Sequence, residues 1–199
     1  MSDIPELNQG VMDAVLALKA MSEVQAGLNL CLEQEPHAMD EQVEICEIPA
    51  PTFKEEVRGR YIAALMEKYG LEDVHLDEVG NCIGLLKGTA GGPVIAMGAH
   101  MDTVFPEGTP VKVTREGDIY RAPGIGDNCS GVRALLQTIR CFTETGVRPM
   151  GDIYFVATVG EEGNGDIRGS KWFNSHHHVD GFIACDNTDV GRILWAAIG

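Results

Sequence analysis

Positive charge is scarce in this chain. Its 199 residues carry 15 Lys and Arg against 30 Asp and Glu, a net charge of −15. So acidic a protein repels phosphate backbones and anionic lipid, and neither nucleic acid nor membrane is expected as a partner. Long apolar runs are also missing; none approaches the roughly 20 residues that cross a bilayer. The opening residues, Met1-Ser2-Asp3-Ile4-Pro5-Glu6, lack the basic stretch and apolar core of a signal peptide. The six cysteines include no C-x-x-C pair and read as reduced, mostly buried thiols. Together these absences predict a cytoplasmic protein. The lysine of a phosphate-binding P-loop and the G-x-S-x-G elbow of serine hydrolases are absent as well.

What is present suits one globular domain. The hydrophobic fraction is 44%, and the length can bury a real core. Val11, Val15, Leu18, Val24, Leu28 and Leu32 recur at helical spacing, which predicts one long helix or two short ones broken near Gly27. Pro36 opens a second helix over about Asp40 to Glu47. Thr52-Phe53-Lys54-Glu55 has the capping-box pattern, and its helix should end at Gly70. A hairpin follows, Val74 to Asp77 and Cys82 to Leu86, with His75 on an edge strand. Val94 to Met97 reads as a buried strand, and Val111 to Thr114 and Ile119-Tyr120 as short ones. A helix carries Val132, Leu135, Leu136 and Ile139 on one face. Strands are expected over Gly151 to Val159, Gly181 to Cys185 and Arg192 to Ile198, with a short helix from Arg168 to Ser175.

The residues with chemistry cluster where these strands end. His100 and Asp102 follow the Val94–Met97 strand; read alone, they fit a satisfied core histidine beside an aspartate as well as a metal ligand and its orienting carboxylate. Asp127 opens the helix after a glycine-rich loop, where a carboxylate is often only a cap. Glu161 and Glu162 follow a strand between glycines, and Asp186 follows another. His176, His177 and His178 are consecutive, so their side chains diverge, and they read as a surface loop. Histidine with carboxylates and no thiolate suits a zinc-type hydrolytic site, and a bridging carboxylate with a spare glutamate suits two metals.

The same residues carry a resemblance. H-x-D-T-V at His100 to Val104, G-x-G-D-N-x-x-G at Gly124 to Gly131, G-E-E-G at Gly160 to Gly163 and the strand-ending Asp186 are together similar to the family of peptidase T, aminoacylase and acetylornithine deacetylase, peptidase family M20. The spacings also fit: 27 residues from His100 to Asp127, 35 to Glu162, then 24 to Asp186. The resemblance covers roughly Glu41 onward, and the run from Thr158 to Gly169 with Asp189-Val190-Gly191 looks most like peptidase T-like members.

The resemblance implies an α/β fold, a three-layer α/β/α sandwich with a central mixed sheet. It implies a two-zinc site that hydrolyses peptide or acyl-amide bonds, with cobalt or manganese as possible substitutes. Asp127 would bridge the metals, His100 and Asp186 would complete one set of ligands, and Glu162 would bind the other ion. Asp102 would hold the His100 ring, and Glu161 would be the general base. The Asp127-Asn128 peptide is often cis in this family. Substrates would be small peptides or N-acyl amino acids, and the intact form would be a homodimer. The family takes a further histidine from near its C-terminus and inserts a lid domain, and this sequence matches neither. The expected organisation is therefore a helical segment over 1–35 and an N-terminal part of the catalytic domain over 36–199, truncated before the lid, with one zinc or none held tightly. The rival expectation is a non-catalytic metal-binding or interaction module derived from the same fold.

Overall fold

The computed structural model describes residues 8–186. Helices α1 (Gln9–Ala20), α2 (Ser22–Glu33), α3 (Glu35–Cys46) and α4 (Glu56–Lys68) come first. Strands β1 (Glu72–Leu76), β2 (Cys82–Leu86) and β3 (Ile95–His100) follow, then the small hairpin β4 (Thr114–Glu116) and β5 (Ile119–Arg121). Helix α5 (Cys129–Thr145), strand β6 (Ile153–Thr158), helix α6 (Arg168–His176) and strand β7 (Gly181–Ala184) complete the described chain.

Five strands form one mixed sheet in the order β1-β2-β6-β3-β7. β3 runs parallel to both β6 and β7, whereas β2 is antiparallel to β1 and β6. Side chains alternate along a strand, so a strand buried on both faces feeds two cores. In β6, Phe155 and Ala157 join the larger core, with Ile62 and Met66 of α4 and Val132, Leu136 and Ile139 of α5. Val156, between them, joins the other, with Ile83, Ala96 and Phe173 of α6. Helices therefore cover both faces of the sheet, as an α/β/α sandwich requires.

Local differences from the sequence reading have physical causes. The first helical break falls at Met21, which is extended (φ −68°, ψ 134°), not near Gly27. Gly27 lies inside α2 as its buried residue and faces Cys141 of α5, where an added Cβ would make only ordinary contact at 3.6 Å. α3 starts earlier than expected, with Pro36 in its first turn, where a missing N–H costs nothing. Thr52 caps no helix, since α4 begins at Glu56. The strand expected from Val111 begins only at Thr114; Val113 instead donates its N–H to Glu47 Oε1 at 2.9 Å. The expected strand from Arg192 to Ile198 lies outside the described residues. Among those residues no single helix is long and apolar enough to cross a membrane; α1 and α2 reach that length together but meet at a 71° bend.

Candidate metal centre

Three parallel strands place the site. β3, β6 and β7 point the same way, so the loops after them meet at one edge, where open α/β sheets gather ligands. His100 is the last residue of β3, pairs in register with Thr158 and is buried. Its Nδ1 lies 3.1 Å from the Asp102 carbonyl oxygen. A proton on Nδ1 bonded there leaves Nε2 facing the carboxylates. Nε2 lies 3.1 Å from Asp127 Oδ1 and 3.7 Å from Asp186 Oδ1. His100, Asp127 and Glu162 each offer a donor atom within 4.8 Å of the other two. Such a nitrogen and oxygen set fits a divalent metal of the zinc, cobalt or manganese kind.

Asp102 organises the neighbouring loop. It is fully buried, and its carboxylate accepts the Glu161 N–H at 2.9 Å, the Glu162 N–H at 3.1 Å and the Thr52 hydroxyl at 3.0 Å. The carboxylate is 3.6 Å from His100 Nδ1, so the hydrogen bond to the ring comes from the Asp102 main chain. The loop has a second buried support. Glu55 Oε1 accepts the Gly160 N–H at 3.1 Å, the Phe53 N–H at 2.9 Å and Arg168 Nη2 at 2.9 Å. Gly160 sits at φ 59°, and a Cβ on it would lie 2.4 Å from Arg168 Nε. Glycine takes that backbone conformation without strain, and a side chain there would displace Arg168.

The other wall is the start of α5. The helix is capped by Asn128, whose side-chain oxygen accepts the Gly131 N–H at 3.0 Å, so Asp127 is not the cap. Asn128 Nδ2 donates to the Cys185 carbonyl at 2.9 Å and thereby ties α5 to the segment that carries Asp186. The Asp127-Asn128 peptide is cis.

The electrostatics are those of crowded acids. Burial pushes the Glu161 carboxyl up, and Asp186, Asp102 and Asp127 push it further against the opposing pull of His100. Burial likewise raises Glu162, with Asp127 the main charged neighbour. Burial alone would lower the His100 pKa, but Asp102 above all, then Asp186 and Glu161, push it up to about 9. Burial would raise Asp102, but the His100 ring and the donors on its oxygens hold it below the ordinary aspartate range. A divalent cation among these groups would offset the excess negative charge. Beside them, among the described residues, lies a cavity of about 310 Å³ bounded by His100, Glu161, Ser170, Asn174, Phe182 and Asp186.

The fold thus gathers His100, Asp102, Asp127, Glu161, Glu162 and Asp186 at one edge. It does not bring in the histidine run: His176 stacks on Trp172 and His177 on Phe173. The sequence reading missed Thr52, Glu55, Asn128 and Arg168. Asn128 had a signal, since an asparagine three residues before Gly131 is a cap pattern. The others act through partners far away in sequence.

Residues 96–193 match the model of peptidase family M20/M25/M40. Over these 98 residues, just under half of the chain, the sequence is similar to peptidase family M20. A putative LysW-lysine/LysW-ornithine hydrolase of Pyrococcus abyssi is 37% identical over 120 residues, 60% of this chain and 32% of that protein. Carboxypeptidase G2 of Pseudomonas sp. is 32% identical over 113 residues, 52% of this chain and 26% of that protein. The crystal structure of aminopeptidase PepT from Bacillus cereus superposes with a TM-score of 0.64 at 26% identity, covering 75% of this chain and 42% of that one. The matched part of the chain thus spans a third or less of these curated M20 relatives.

Proposed function

We propose that this chain carries the metal-binding and proton-transfer residues of a hydrolase that cuts peptide or acyl-amide bonds. The observation behind this reading is the grouping of His100, Asp127 and Glu162 within 4.8 Å, with Asp186 beside it and Glu161 at the cavity wall. In this reading His100, Asp127 and Asp186 hold one ion, and Asp127 and Glu162 the other; zinc is the metal we favour. Bound there, the metals supply Lewis acidity toward the scissile carbonyl and the attacking water. Glu161 takes the proton from that water and returns it to the leaving nitrogen. Asp102 is a positioning residue, because its carboxylate fixes the main chain of both glutamates.

The relatives' names describe a hydrolase of LysW-lysine, a carboxypeptidase and an aminopeptidase, so they favour amide hydrolysis and leave the substrate's ends open. Small peptides and N-acyl amino acids are the classes we favour. We assign the hydrolase part to residues 36–199 and residues 1–35 to a helical segment, in keeping with the packing of α2 on α5. The test uses protein expressed from the full reading frame that contains this chain, loaded with zinc, cobalt or manganese and given tripeptides and N-acyl amino acids. Release of free amine that a chelator abolishes is the expected result. Metal binding with no turnover on either class would favour the non-catalytic module instead.

A further inference from the structure

The thiols of Cys31 in α2 and Cys141 in α5 face each other with their sulfurs 3.0 Å apart, although 110 residues separate them in sequence. The two helices approach closely there. Gly27 lies one turn before Cys31, and a Cβ on it would sit 3.6 Å from Cys141 Cβ. The Cys141 thiol donates to the Gly27 carbonyl at 3.3 Å. Both cysteines are only partly buried, and both line a mainly apolar surface cavity of about 260 Å³. Cys141 lies twelve residues beyond Cys129, about 18 Å along α5, so the pair is separate from the metal centre.

We propose that Cys31 and Cys141 are a thiol pair that a peroxide converts to a reversible disulfide, clamping the N-terminal helices to α5. The sulfurs need only approach by about 1 Å to reach bonding distance. Hydrogen peroxide first oxidises the Cys31 thiol to a sulfenic acid: the O–O bond breaks and one water leaves. Cys141 sulfur then attacks the Cys31 sulfur, the S–O bond breaks, and a second water leaves with the Cys141 proton. Two electrons pass from the two thiols to the peroxide, and a thiol reductant reverses the step. Burial and the contact with Cys31 push the Cys141 thiol up to about 12, which keeps it protonated and slow to react with peroxide itself.

The clamp has something to hold. α1 has no buried residue and rests on α2, and α2 in turn meets the body of the molecule along α5. A cross-link here joins α2 to the helix whose first turn borders the candidate metal centre. A second pair, Cys46 and Cys129, also interacts, but both residues are fully buried and serve as the internal control.

The experiment treats the purified chain with excess hydrogen peroxide, quenches it, and alkylates it in denaturant. Digestion with trypsin and a glutamyl endopeptidase separates Cys31 from Cys46. The expected result is a fall from six alkylatable cysteines to four, a peptide pair joined through Cys31 and Cys141, and recovery of all six with dithiothreitol. Cys31→Ser should give no joined pair. Six alkylatable cysteines after peroxide would overturn the proposal. So would Cys31 trapped as a sulfinic acid with Cys141 free, or a link that joins Cys46 to Cys129 in place of the proposed one.

Discussion

Glu161 and Glu162 are neighbours in the chain, yet the fold gives them different surroundings. Glu162 offers an oxygen to the group around His100, whereas Glu161 borders the adjoining cavity. The proposed roles therefore separate under substitution. Glu161→Gln keeps size and hydrogen bonding but cannot accept a proton, and hydrolysis should fall by roughly 10²–10⁴-fold with metal content unchanged. Glu162→Gln should lose metal first and activity with it. Metal per chain measured beside turnover decides; a Glu161→Gln protein nearly as active as the parent would remove Glu161 as the base. Away from the centre, Glu41 is buried and takes the Tyr69 hydroxyl bond. Burial raises its pKa above 4.5, against the pull of His37, Arg140 and Lys68. A raised folded-state pKa means stability fully present below the unfolded value and lost as pH rises through the folded one. Glu41→Gln should therefore gain on wild type as pH climbs from about 4 to 8, read from thermal unfolding midpoints. Parallel curves would reject this. Residue types and spacing made His100, Asp127, Glu162 and Asp186 legible, because ligand chemistry restricts which side chains serve. The support from Glu55 was not legible: its partner Gly160 is 105 residues away, and Thr52-Phe53-Lys54-Glu55 imitates a cap by composition alone.

The elements were readable where one physical cause dominated. The hairpin of β1 and β2, the end of α4 at Gly70 (φ 86°) and the buried β6 follow from periodicity and turn chemistry. Boundaries set by tertiary contacts were not readable. Gly27, expected as a break, instead lies inside α2 facing Cys141 of α5, a neighbour that the local sequence of α2 does not encode. The first turn of α5 shows how tightly an element and the site can be joined. A Cβ added at Gly131 would lie 2.2 Å from Asn128 Oδ1 and 2.4 Å from the Cys185 carbonyl. Gly131→Ala should therefore break both the cap and the link to the Asp186 segment, although alanine is the better helix former. Overpacking of this kind costs about 1–3 kcal/mol, and a weaker metal complex should accompany the loss. Urea unfolding and metal titration of the variant test this. A protein as stable as the parent, or more stable, would mean that the propensity of alanine outweighs the contacts.

At the scale of the whole molecule, the net charge of −15 and the crowding at the sheet edge point to one consequence. Asp102, Asp127, Glu161, Glu162 and Asp186 surround one imidazole, and burial adds to their repulsion. The folded chain assembles these carboxylates; the unfolded chain disperses them. A divalent cation should thus bind the folded state preferentially and raise its stability by about 2.7 kcal/mol at one hundred times its dissociation constant. Zinc alone is an ambiguous probe, because the unfolded chain exposes six thiols that also bind it and so reduce the gain. Manganese favours carboxylate and nitrogen donors over thiolates, so it reports the folded centre more directly. The expected outcome is an unfolding midpoint that rises with manganese concentration, returns on chelation, and fails to rise in Asp127→Asn. Asp127 is chosen because its carboxylate reaches His100 Nε2 while its side chain stays half exposed, so the substitution removes a donor without opening the core. A midpoint indifferent to manganese and zinc alike would show that the carboxylates meet at this edge without forming a metal centre.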